Sequence, residues 1–201
     1  MTEQFKDRKQ EDEGSIDCIS IDTMTFPLVL NPKLIATVRS QYRLDFWGIH
    51  GLSHWSRVLF NGLRLARYTG ADENVVALFA LFHDACRIND CLDPQHGARG
   101  ADLARQYRGQ LFELSDKGMM LLYVACENHT LGFVLADPTV QTCWDADRLD
   151  LWRIGVRPDR KRLCTDAAKQ IEFIKESCQT AQQRDFPYRY HWLQEDENSM
   201  L

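Results

Sequence analysis

The sequence predicts an all-α, single-domain bundle of about seven helices. Seven segments repeat their apolar residues at helical spacing, and no two stretches alternate well enough to pair as strands. The size agrees: 201 residues, 44% hydrophobic and 26% charged, suit one core and leave little for a second.

Residues 1–24 are read as an N-terminal arm. "MTEQFKDRKQEDEG" is charged and lacks periodicity, so it is expected to be flexible, and the weak alternation of "SIDCISIDTMTFPLVL" does not make a sheet. The helices follow in order. "NPKLIATVRSQYRL" opens with Asn31 as cap and Pro32 at the first helical position. "GLSHWSRVLFNGLRLARYTG" is amphipathic and closes at Gly70. "ADENVVALFALFHDACR" starts at Asp72 and is apolar on nearly every side, which marks the central helix. "QHGARGADLARQYR" is shorter and amphipathic. "SDKGMMLLYVACENHT" is capped by Ser115, "DPTVQTCWDADRLDLWRIG" by Asp137 with Pro138 just inside, and "TDAAKQIEFIKESCQTAQQR" by Thr165. The bundle thus spans residues 25–180. Residues 181–201 are a C-terminal tail whose aromatics are expected to dock on the body or on a second subunit, which leaves a homodimer open.

A net charge of −5 and a pI near 5.7 argue against a general nucleic-acid binder or a membrane-surface protein, while a local basic pocket can still hold phosphate. No apolar run approaches the ~18 residues of a membrane span, and the N-terminus is unlike a signal peptide, so a soluble cytoplasmic protein is expected. The seven cysteines are odd in number, dispersed, and free of any CxxC pair, as reduced core thiols would be.

Polar residues interrupt the apolar stripes at a few positions. His54 shares a face with Val58 and Leu65; His83 extends the face of Val75, Val76, Phe79 and Cys86, with Asp84 about 100° further round. His129 continues Leu122, Ala125 and Cys126, and Asp147 interrupts Val140, Cys143, Trp144, Leu151 and Ile154. Taken singly, an inward histidine is more often a hydrogen-bonded core residue than a ligand. Together, two histidines and two aspartates on three core helices are hard to satisfy piecemeal, because an unpaired buried carboxylate costs several kcal/mol. A shared divalent ion satisfies them at once. Imidazole nitrogen with carboxylate oxygen suits manganese, iron, cobalt, nickel or zinc.

His54 in "HWSRV", the His83-Asp84 pair in "HDACR", and "DADRLDL" with Asp145 and Asp147 resemble the HD-domain superfamily of metal-dependent phosphohydrolases, over roughly residues 47–160. The resemblance implies an all-α bundle in which His54, His83, Asp84 and Asp147 hold one metal. Asp147 matches the family's tripeptide and holds the inward position; Asp145 either sits behind the ligands or pairs with Arg148. His50, in a glycine-flanked loop, is read as a surface residue. His96 in "DPQHGARGADLA" and His129 in "CENHTLG" resemble the added histidines of dinuclear members. Six ligands would then hold two ions bridged by Asp84. His96 can equally be a surface histidine near a helix start, mononuclear members lack these histidines, and Cys126 is read as a core thiol.

The implied chemistry is hydrolysis of a phosphate ester in a nucleotide or other small phosphorylated molecule, with metal-bound hydroxide as nucleophile. Asp84, Arg87, Glu127 and Asp145 are the candidate catalytic residues. Glu127 and Asp90 are weighed as orienters of water against caps or ion-pair partners. Arg87, Arg57 and Arg99 each follow a candidate ligand by three or four residues and would form a phosphate-facing collar. Two alternatives stand beside this reading: a di-iron oxygenase on the same fold, and a non-catalytic ligand-binding protein whose metal staples the helices.

Overall fold

Helix α3, Glu73–Phe82, occupies the centre of the fold in a computed structural model that describes residues 24–183 and 186–193. Every residue from Val75 to Phe82 is buried, because the segment has no polar face to turn outward. Around it pack α1 (Pro32–Gln41), α2 (Leu52–Thr69), α4 (His96–Tyr107), α5 (Asp116–Asn128) and α6 (Pro138–Arg148). Helix α7, Ile171–Ala181, lies against the 3-10 turn Leu151–Ile154 and covers a smaller core of Leu65, Leu149, Leu163 and Phe173. Among the described residues there are seven α-helices and no strands.

The helix boundaries follow local chemistry. Asn31, Asp72, Ser115 and Asp137 accept hydrogen bonds from the first-turn amides of α1, α3, α5 and α6. Gly70 ends α2 with φ 67°, a conformation only glycine adopts at no cost. Three expected boundaries move. Helix α3 stops at Phe82, so the His83-Asp84 pair sits in the turn after it. Helix α6 stops at Arg148 and gives way to the 3-10 turn. Thr165 caps a single turn, its Oγ1 accepting from the Ala168 amide, and α7 begins at Ile171 instead.

Two glycines let α4 approach its neighbours. A Cβ at Gly97 would lie 2.1 Å from the Cys126 carbonyl oxygen on α5, and one at Gly100 would lie 2.1 Å from the Phe82 carbonyl oxygen on α3. Of the expected tail, the 3-10 segment Pro187–Leu193 lies on α2, with Phe186, Tyr188 and Trp192 buried against the main core. The expected arm falls outside the described residues except for its last position, Met24, which is buried. The six described cysteines are free thiols, and no helix among the described residues is long and apolar enough to cross a membrane.

Candidate metal centre

One end of the bundle gathers the polar residues that the apolar stripes exclude. Helices α2 and α4 begin there, placing His54 in the first turn of α2 and His96 at the first position of α4. Helices α3, α5 and α6 end there, placing His83 and His129 at the C-caps of α3 and α5 and Asp147 in the last turn of α6. Three helix C-termini and two N-termini meet at this spot, so their partial charges largely offset one another and the side chains set its electrostatics.

Asp84 lies at the middle, 2% exposed. Its Oδ2 is 3.6 Å from His54 Nε2 and 3.9 Å from His83 Nε2; its Oδ1 is 3.1 Å from His96 Nε2 and 3.7 Å from His129 Nε2. Asp147 Oδ1 closes the first group, 3.4 Å from His54 Nε2 and 4.0 Å from His83 Nε2, and its side chain keeps 16% of its surface open. Two sets of donor atoms within metal-binding reach of one another therefore share Asp84: His54 and His83 on one side, His96 and His129 on the other.

The hydrogen bonds behind the rings fix which nitrogens are available. His83 Nδ1 donates to the Phe79 carbonyl at 3.0 Å, His129 Nδ1 to the Cys126 carbonyl at 2.7 Å, His96 Nδ1 to the Asp93 carbonyl, and His54 Nδ1 to Asp150 Oδ2 at 2.7 Å. With Nδ1 protonated in all four, each Nε2 presents a lone pair. Those lone pairs face each other at 3.0 Å, His54 against His83 and His96 against His129. A proton on one ring or a metal ion between the two makes such an approach favourable, and with Asp84 and Asp147 beside the rings the donor set fits divalent metal: His54, His83, Asp84 and Asp147 for one ion, Asp84, His96 and His129 for a second.

The electrostatics agree. Burial drives the His83 imidazole down to about 3, so it is neutral and free to coordinate. Burial opposes ionisation of Asp84 and Asp147 too, but the surrounding imidazoles of His83, His129, His50 and His96 hold Asp84 well below the usual carboxylate range, and those of His54, His83 and His129 do the same for Asp147. Burial also works against charge on His129, and the nearby Asp84 and Asp147 carboxylates overcome it and raise the imidazole. The cluster draws in positive charge.

Other expected residues are placed differently. His50 is not a surface residue: it is 9% exposed, and its Nδ1 donates to Asp84 Oδ2 at 2.7 Å. Arg87 reaches the cluster, its Nη1 3.0 Å from His96 Nε2 and 3.4 Å from Asp84 Oδ1, with Nη2 anchored on the Cys91 carbonyl. Arg57 is committed to Asp150, Nε to Oδ1 at 2.6 Å, and Arg99 to Asp93 and the Cys86 carbonyl, so the three arginines do not form a collar. Glu127 is exposed and, among the described residues, accepts a hydrogen bond from the neighbouring Asn128 side chain alone. Asp145 faces away from the cluster and takes neither expected position. It accepts the amides of Cys164 and Thr165 at 2.7 and 2.8 Å and the Thr165 hydroxyl, pinning that turn to α6, while Arg148 bonds to the Arg162 and Phe133 carbonyls. Asp90 is exposed.

Two residues escaped sequence reasoning. Asp150, fully buried, accepts from both His54 and Arg57; its signal was the three-residue step from Asp147 between two leucines. Tyr42 packs edge-on to Trp55, next to His54, and its hydroxyl is buried with no hydrogen-bond partner among the described residues. Burial raises the phenol, and Asp84 and Asp90 raise it further.

A family model described as HD domain matches residues 51–152, just over half of the 201 residues, and the span contains His54, His83, Asp84, His96, His129, Asp147 and Asp150. No curated protein and no solved structure matches the chain. With the family model and an all-helical fold in agreement, the chain belongs to the HD-domain superfamily of metal-dependent phosphohydrolases.

Proposed function

We propose that this protein hydrolyses a phosphate ester of a nucleotide or another small phosphorylated molecule with the help of divalent metal, which His54, His83, Asp84 and Asp147 on one side and Asp84, His96 and His129 on the other would hold. The observation that carries the reading is the division of Asp84: each carboxylate oxygen faces its own pair of imidazoles, whose lone pairs converge. Bound there, a pair of divalent ions supplies Lewis acidity toward a phosphoryl oxygen and lowers the pKa of water.

The protein's part is positioning and charge. The carbonyl-anchored rings of His83, His96 and His129 and the Asp150-anchored ring of His54 fix the ligand geometry before substrate arrives. His50 steadies the Asp84 carboxylate by donating to Oδ2. Arg87 is the phosphate contact: its guanidinium is tethered through Cys91 and Asn89, leaving Nη1 at the cluster to meet a phosphoryl oxygen.

The test is a panel of phosphorylated metabolites incubated with protein loaded in turn with manganese, nickel, cobalt, magnesium or zinc, with phosphate release as the readout. Release that disappears in Asp147→Asn is the expected result. No release across the panel from protein shown to carry metal overturns the proposal; iron-dependent oxygen consumption would replace it.

A further inference from the structure

A second polar site lies behind His54, away from the lone pairs. A cleft of about 440 Å³ is lined by Trp47, Ile49, Ser53, Arg57, Arg153 and Arg189. That volume suits a small organic ligand. No carboxylate is among the described residues that line it; Asp150 lies beneath Arg57 and Arg153, and Asp45 accepts from the Trp47 amide at 2.9 Å. Asp150 is already shared: His54 Nδ1 at 2.7 Å, Arg57 Nε at 2.6 Å and Arg153 Nε at 3.8 Å surround one carboxylate. The Arg57 and Arg153 side chains are 5% and 7% exposed, and among the described residues their two guanidinium charges share the one carboxylate of Asp150, their other donors going to the Gln183, Ile49 and Asp150 carbonyls. Buried charge in excess calls for a counter-ion. On the outer wall, Trp47 is 56% exposed and Ile49 47%, and the Arg189 guanidinium lies 5.7 Å from the Trp47 ring centroid. An apolar, aromatic wall beside excess guanidinium suits an anion that carries a flat ring.

We propose that this cleft binds a small organic anion bearing an aromatic ring, of the nucleoside monophosphate type, and that its occupancy reaches the metal centre through Asp150. The anion takes part of the Arg57 and Arg153 charge that Asp150 now neutralises. Asp150 then bonds more strongly to His54 Nδ1–H, makes that ring a better donor at Nε2, and tightens the first metal site. The site is separate from the phosphate-cleaving one and stands whether or not the chain is a phosphohydrolase.

The experiment uses full-length protein freed of metal by chelation and titrated with adenosine monophosphate or inorganic phosphate, followed by tryptophan fluorescence and calorimetry. Saturable binding of the nucleotide, weaker binding of phosphate, and about tenfold loss of nucleotide affinity in Trp47→Ala with phosphate binding unchanged are expected. Arg153→Gln is expected to weaken both, and its circular dichroism shows whether it has folded. In wild type, saturating nucleotide should raise manganese affinity several-fold, with Trp47→Ala abolishing the rise. Absence of saturable binding to metal-free protein overturns the proposal. So does nucleotide binding that appears only after metal loading and vanishes in His83→Ala, which would assign the ligand to the metal centre.

Discussion

His54 Nε2 and His83 Nε2 face each other across 3.0 Å while both Nδ1–H groups are already engaged, His54 with Asp150 and His83 with the Phe79 carbonyl. Neither ring can turn over to relieve the contact without breaking a buried hydrogen bond at its back. The pair is therefore built to receive a cation, and Asp84 Oδ2 and Asp147 Oδ1 supply the compensating charge.

The two ion positions should not bind equally. Arg87 Nη1 stands 3.0 Å from His96 Nε2 and opposes a second cation there, whereas among the described residues no guanidinium bonds to His83. Equilibrium dialysis with elemental analysis should give two ions per chain, the first tighter. His83→Ala should remove the tighter ion and His129→Ala the weaker one. Arg87→Gln should strengthen the weaker site while lowering turnover. A single ion per chain at saturating metal would refute the bridged arrangement.

The metal-free protein should be most stable near pH 6.5. His83 is held at about 3 against 6.5 in the unfolded chain, so the unfolded state gains protons first as pH falls from 6.5 and stability declines. His129 is raised instead, so its contribution is complete below 6.5 and is lost as pH rises through its raised value. Below the ordinary carboxylate value of 3.8, the depressed Asp84, Asp147 and Asp150 add to the acid loss. Thermal denaturation across pH should show this maximum with chelator present. Metal should move it upward by taking the place of the His129 proton; a profile that rises steadily to pH 9 without metal would contradict the assignment.

Asp150→Asn should weaken metal without touching a ligand. The carboxylate orients His54 and neutralises Arg57, so its loss is expected to reduce affinity at the first site about 10–100-fold. Breaking the buried pair with Arg57 should also lower unfolding stability by about 3–5 kcal/mol. Titration calorimetry and urea denaturation measure the two effects on the same variant. Unchanged metal affinity would show that the His54 ring is held by packing alone.

The fold was legible because its signals are local and repeated: Asn31, Asp72, Ser115 and Asp137 cap where their side chains can reach a free amide, and α3 is buried because it has nothing polar to expose. His54, His83, His129 and Asp147 were legible for the complementary reason, since each breaks an apolar stripe, whereas His96 was reached only through the family resemblance. Reach across loops was not. His50 reads as a surface residue because it follows Gly48 and Ile49, and only the packing of its loop against α3 brings Nδ1 to Asp84. The arginine collar failed because helical offset sets direction and leaves the partner open: Asp150 and Asp93 claim Arg57 and Arg99 first. Asp145 lies two residues from Asp147, about 200° round the helix, and so serves the Cys164–Thr165 turn instead.

Gly97 ties this packing to the chemistry. A methyl group there would meet the Cys126 carbonyl oxygen at 2.1 Å and His129 Nδ1 at 3.0 Å, and that carbonyl is the one His129 Nδ1 donates to. Gly97→Ala must push α4 from α5 or displace the His129 ring, and His96, next to Gly97 on the same helix, moves with it. Overpacking of this kind costs about 1–3 kcal/mol. The expected result is a folded protein with modestly lowered melting temperature that keeps the ion at His54 and His83 and loses the one at His96 and His129. Gly100→Ala is the control: it strikes the Phe82 carbonyl on α3, so it should lower stability at least as much. Loss of the second ion in both variants alike would mean that general loosening of α4 empties the site, and the specific link through Cys126 would fall.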